Sequence, residues 1–263
     1  MRFEFVDTTY SHIEVVLGEP NGPFVLMHPE AFGGIRADIE FGERLTALGL
    51  TFAGMNPRGS GGSMGPLTDI TLHDMAADAI AVIERYSDAP VIFIGHAGGN
   101  RVGRMVATLR PDLVSLLILL AAGGRVPPTA EVGASMARWR NDRLPWRERL
   151  AAAEAVFLAP GNHFPASFPW PDYSFAAADA WGAAGRATST DEWWAGGTAR
   201  ILVVQGAQDA AAPVENGHLL AEEFPHRVEM VDIESAGHFP QLEQPELVLD
   251  AIAGFLQREV IIS

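Results

Sequence analysis

The run Val91-Ile92-Phe93-Ile94, followed at once by Gly95-His96-Ala97-Gly98-Gly99, constrains this chain more than any other segment. A short, wholly apolar run bounded by glycines reads as a strand buried on both faces. Glycines two positions either side of Ala97 let that strand and a following helix approach closely through a sharp turn. The related pattern G-x-S-x-G holds a serine hydroxyl above the end of a sheet. Here the glycines stand but the hydroxyl is replaced by a methyl group.

Around this turn the chain alternates short apolar runs with helical patterns. Phe3–Val6 and Ile13–Leu17 read as a hairpin or edge pair. Further strands are expected at Phe24–Met27 (ending at His28), Thr51–Met55, Ser115–Ala121, Ile201–Val204 and Val228–Ile233. Helical spacing covers 36–48, 71–86, 99–109, 213–224 and 245–257. The order predicts a mostly parallel sheet with right-handed crossovers and helices on both faces. Between 125 and 198 the character changes. This segment carries all six tryptophans and the stretch Phe164-Pro165-Ala166-Ser167-Phe168-Pro169-Trp170-Pro171. It is expected to be a mainly helical cap, inserted after the sixth strand, over the carboxyl edge where open α/β sheets bind ligands. Residues 1–124 and 199–263 would form the core.

Composition narrows the function. Hydrophobic residues are 48% and charged residues 19%, enough apolar material for one sizeable core. The net charge of −15, from 18 basic and 33 acidic side chains, disfavours nucleic acid and anionic membranes. Cysteine is absent, which excludes disulfides, thiolate catalysis and Cys-based zinc sites. No histidine spacing suits a metal. The glycines of 59–65 match neither phosphate-binding fingerprint and read as a turn. The N-terminus lacks a signal-peptide apolar region, and Leu116–Ala122 is too short to span a bilayer. The expectation is a cytoplasmic protein, monomer or homodimer, without cofactor, acting on a small molecule.

Four signals carry chemistry, in fixed order: Met27-His28-Pro29-Glu30-Ala31-Phe32-Gly33-Gly34; Asn56-Pro57-Arg58-Gly59-Ser60-Gly61-Gly62-Ser63; Gly95–Gly99; and the pair Gly206-Ala207-Gln208-Asp209 with Gly237-His238-Phe239-Pro240. Together they resemble the α/β-hydrolase superfamily over essentially the whole chain. The resemblance implies the order nucleophile, acid, histidine, at positions 97, 209 and 238. It implies oxyanion donors on the backbone of Glu30 and Gly98, and hydrolysis of a small, largely apolar ester, lactone, amide or related carbonyl compound. Asn56 stands where the family usually has Asp, and Pro29 where it has glycine. Proline lacks an amide hydrogen, but the implied donor is the next residue. The Glu30 side chain is expected to face a helix N-terminus or solvent, since a carboxylate would oppose an oxyanion.

In elbows of this family the central residue has positive φ, which costs an alanine on the order of 1–2 kcal/mol. Three accounts of Ala97 stay open at this point. In the first it replaces a native serine; in the second it is native, with an Asp209–His238 dyad activating water or moving a substrate proton as a lyase or isomerase would; in the third the pocket only binds. Trp139, Trp146, Trp170 and Trp181 are candidates for an aromatic pocket wall. His28 and His96 are expected to make structural hydrogen bonds. His73, Asp74, Asp78 and Glu84 are expected on a solvated helix face.

Overall fold

A computed structural model describes residues 1–259, 261 and 262. Its sheet has eight strands: β1 (Arg2–Asp7), β2 (His12–Leu17), β3 (Phe24–His28), β4 (Thr51–Met55), β5 (Val91–His96), β6 (Val114–Leu120), β7 (Arg200–Gly206) and β8 (Val228–Ile233). The spatial order is β1-β2-β4-β3-β5-β6-β7-β8. β1 and β2 pair antiparallel, as does β2 with β4, and every other pairing is parallel. The carboxyl ends of β3 through β8 therefore share one edge, and the loops leaving them converge there.

Helices cover both faces, as doubly apolar strands require. On one face α1 (Ile39–Ala47) packs with a C-terminal helix (Pro245–Arg258) against Ile92, Ile94, Leu202 and Val204. On the other, α2 (Leu72–Tyr86) and α3 (Gly98–Leu109) cover Leu26, Phe93, Leu117 and Val203. Helix α1 is shorter than its apolar spacing suggests, because residues 35–38 form a 3-10 turn. Asp78, expected on a solvated face, is buried on α2, where it accepts from Arg58 Nε at 2.7 Å. The pair ties the 56–63 loop to the helix.

Between β6 and β7 lie α4 (Ala130–Arg140), α5 (Trp146–Phe157) and α6 (Phe175–Ala187). Packing divides this segment. Trp139, Val156, Phe157, Phe164 and Phe168 form a separate aromatic cluster that also takes in Phe239. Trp181, Trp193 and Trp194 instead join the core beside α2 and α3. The apolar side chains of the segment thus divide near α6 between a cluster of their own and the core. No helix among the described residues is long and apolar enough to cross a membrane.

Candidate active site

The turn from β5 into α3 has the sharp geometry that its glycines allow. Ala97 sits at φ 49°, ψ −108°. A side chain at Gly95 would lie 2.4 Å from Asn100 Cα, and one at Gly99 would lie 2.2 Å from the His28 carbonyl oxygen. Bare backbone is therefore required at both positions. The Ala97 amide donates to Leu120 at 2.9 Å, which fixes the turn to the end of β6.

Asp209 follows β7 and His238 follows β8, and their side chains meet. His238 Nδ1 lies 2.9 and 3.0 Å from the two Asp209 oxygens. The carboxylate also accepts from the Ala211 and Ala212 amides at 2.9 and 2.8 Å and from Gln205 at 3.0 Å. It is fully enclosed and cannot rotate away from the imidazole. Burial disfavours the His238 cation. The charge and hydrogen bond of Asp209, with the charges of Glu30 and Glu243, outweigh burial and raise its pKa above the usual histidine value. With Nδ1 held, Nε2 remains, and it has no intramolecular partner among the described residues.

Backbone contacts hold the imidazole from two sides. The His238 amide donates to Phe157 at 2.7 Å, and its carbonyl lies 2.7 Å from His96 Nε2. The Gln241 side-chain amide spans from His96 Nδ1 to Asp38. Its N–H can only donate, so His96 Nδ1 accepts and Nε2 carries the proton. Burial drives the His96 pKa down to about 3 and that of His28 to about 4, so both stay neutral. Asp38, enclosed in the same network, is raised by burial to about 7.

Glu30 corrects an expectation. Its side chain faces neither solvent nor a helix N-terminus. It is buried, accepts from the Phe32 amide and lines the cavity beside His238. The loop from Pro29 to Gly34 curls back, so that a side chain at Gly33 would meet Glu30 Oε1 at 2.6 Å and Tyr173 at 2.8 Å. Burial raises the Glu30 carboxyl above its usual range, against hydrogen bonds from its neighbours. Among the described residues the amides of Glu30 and Gly98 donate to no protein acceptor.

These groups open on one cavity of about 370 Å³, lined by Glu30, Ala97, Gly98 and His238 on the sheet side. Phe32, Met136, Phe157 and Trp181 supply apolar wall. Of the four tryptophans expected there, only Trp181 lines it. Trp139 is buried behind the wall, 5.0 Å from Phe32 and 5.1 Å from Phe157 between ring centres. Trp170 stacks behind Trp139, and Trp146 is 45% exposed on the outer side. Tryptophan here mostly packs on other rings, an alternative that composition cannot separate from ligand contact.

No local pattern marks the Asp38–Gln241 support, which joins residues far apart in the chain. Arg101 was also missed. It lines the cavity one helical turn beyond Gly98. Its signal was available: two arginines three apart, in Asn100-Arg101-Val102-Gly103-Arg104, on a helix that must pack on the sheet.

No group of three or more His, Cys, Asp or Glu among the described residues could hold a metal ion. Comparison with known proteins agrees with this architecture. A model of the alpha/beta hydrolase family matches residues 24–251. A Caulobacter vibrioides protein provisionally named as a carbamate hydrolase, RutD, is 26% identical over 216 residues, covering 76% of this chain and 78% of its own. An esterase from Exiguobacterium antarcticum superposes with a TM-score of 0.83 at 21% identity, over 97% of this chain and 100% of that one. Rv0554 from Mycobacterium tuberculosis superposes at 0.82 and 21%, over 97% and 99%.

Proposed function

From the premise that this chain belongs to the alpha/beta hydrolase family, we propose that it hydrolyses a small ester, carbamate or related carbonyl compound with water as the nucleophile. One observation carries the reading: an Asp209-bound imidazole, its Nε2 unpartnered, shares a cavity with the methyl of Ala97 and the two undonated amides of Glu30 and Gly98. The names of the carbamate hydrolase and esterase relatives favour the same bond type.

The chemistry follows from the groups present. Water occupies the space a serine hydroxyl would fill. His238 Nε2 takes its proton while the oxygen attacks the carbonyl carbon. The carbonyl π pair moves to oxygen, where the Glu30 and Gly98 N–H groups stabilise the charge. Asp209 supports the imidazolium. The tetrahedral adduct then collapses. Its bond to the leaving atom breaks, and that atom takes the proton from Nε2. No covalent acyl-enzyme forms, and position 97 acts by leaving room.

Turnover of p-nitrophenyl esters and carbamates tests this. His238→Ala should lower the rate about 10²–10⁴-fold, the range for a lost general base. Unchanged turnover would remove the dyad from the chemistry. A fluorophosphonate should leave the natural chain unlabelled and label Ala97→Ser, because only the latter places an oxygen nucleophile beside Nε2.

A second reading rests on Glu30, a buried carboxyl facing His238 across one cavity. Such a pair could move a substrate proton without hydrolysis, as in a cofactor-free lyase or isomerase. Deuterium uptake from solvent into recovered substrate, without cleavage, would favour it.

A further inference from the structure

Arg101 is the cation of the cavity, and it has no counter-ion. Among the described residues its guanidinium neither donates to a protein acceptor nor lies within ion-pair distance of a carboxylate. Most other arginines differ: Arg58, Arg110, Arg125 and Arg200 each pair with an acid. A protein with 33 acidic side chains has ample means to neutralise one guanidinium, yet supplies none here.

A second guanidinium lies beside it. Arg104, fully buried, spends Nη2 on Asn100 and the Gly123 carbonyl, both at 2.6 Å, while its Nη1 has no partner. Burial lowers the pKa of both groups, and the charge of Arg101 lowers Arg104 further. Aromatic faces hold them in place of acids. Arg104 lies 4.6 Å from the Trp193 ring centre and 5.3 Å from that of Trp194; Arg101 lies 5.6 Å from Trp193. Stacking of this kind occupies the guanidinium face and leaves its N–H edge for a planar acceptor.

The surroundings of Arg101 are small. A side chain at Gly185 would come within 3.1 Å of its Nη1, and one at Gly123 within 3.6 Å of its Nη2. Trp181, in the same wall, has an indole N–H without an acceptor. Arg101 and Trp181 thus both bring donors without a protein acceptor to this wall. Its one acidic side chain, Glu30, already accepts from the Phe32 amide.

We propose that Arg101, stacked on Trp193 and backed by Arg104, binds a carboxylate of the substrate about one helical turn from the reacting carbonyl. The substrate is then an apolar body bearing a carboxylate, held bidentate at one end while the carbonyl reaches Gly98 and His238 at the other. Only the word substrate rests on the hydrolase reading; the anion site stands on its own geometry.

Calorimetric titration with phenylacetate and its neutral analogue phenylacetamide separates the two. Phenylacetate should bind the natural protein at least about tenfold more tightly than phenylacetamide, with a preference that shrinks as salt rises. Arg101→Gln should abolish the preference and leave phenylacetamide within about twofold; Arg101→Met serves if the glutamine variant does not fold. His238→Ala should keep the preference intact. Equal affinities in the natural protein, or a preference that survives loss of Arg101, overturn the site. A protein that prefers phenylacetate but turns over no ester retains the anion site and loses the hydrolase reading. One that hydrolyses esters without the preference does the reverse.

Discussion

The turns at the ends of β5, β7 and β8 and the segment between β6 and β7 face each other across the cavity, and they are built on different principles. In the turns directional hydrogen bonds fix the Asp209 carboxylate and one edge of the His238 imidazole. Asp209 alone accepts from Ala211, Ala212, Gln205 and His238. In the inserted segment rings pack on rings, and Trp139 touches Phe32, Phe157, Tyr173 and Phe175 edge-on. Directional bonds tolerate one residue type at one spacing. Ring packing tolerates many, provided volume is conserved. The two meet at Phe157, whose carbonyl binds the His238 amide while its ring lines the cavity.

Trp139→Ala tests whether the aromatic cluster is a packed unit. Removing this buried indole should lower the unfolding free energy by about 3–5 kcal/mol, read from urea denaturation. The Asp209–His238 bond lies outside the cluster, so turnover by the folded fraction should stay within about tenfold. A small stability loss would mean that the rings rest loosely on the sheet.

The same contrast explains what the sequence disclosed. Gly95, Gly99, Asp209 and His238 are legible because backbone collisions and hydrogen bonds force them into fixed places relative to strands. The mostly parallel sheet follows from the alternation of strands and helices, whereas the placement of β4 between β2 and β3 does not. Trp181 could not be told from Trp139 or Trp146, since aromatic character says nothing about which side of a wall a ring occupies. Glu30 was misplaced because loop curvature, not residue type, turned its carboxyl inward. Asp38 and Gln241 lie 203 positions apart and carry no local pattern.

Asp38→Asn probes the support behind the turns. Burial raises the Asp38 pKa from 3.8 to about 7, so the folded protein holds an unfavourable charge above that pH. Below about pH 4 the acid is neutral in both folded and unfolded states, and the variant should match the natural protein. Between about 4 and 7 the variant should gain about 1.4 kcal/mol per pH unit, to a ceiling of a few kcal/mol. A gain independent of pH would mean that Asp38 does not titrate over this range.

The pH–rate profile probes the turns themselves. As the base of the proposed hydrolysis, His238 has to be neutral, and its pKa is raised above the usual 6.5. The rate should rise about tenfold per pH unit below that pKa and level off beyond it. His28 and His96, at about 4 and 3, stay neutral above pH 5 and should add no inflection there. Asp209→Asn removes the charge that raises the imidazole and should move the inflection to lower pH. An inflection that does not move would separate the profile from the dyad.

Trp146→Ala should give the smallest effect, and its size sharpens where the inserted segment stops mattering. The ring is 45% exposed, edge-on to Trp170 at 5.2 Å, with Arg149 at 5.6 Å over its face. Trp170 in turn packs on Trp139, so the outermost ring is two rings removed from the cavity wall. Loss of a half-exposed side chain with one aromatic neighbour should cost about 1 kcal/mol or less. KM should stay within about twofold, because contacts this remote add independently of the site. A larger change in KM at unchanged stability would mean that the outer ring closes over bound substrate. Ring packing in this segment would then extend into function, and the division between directional turns and passive aromatic wall would fail.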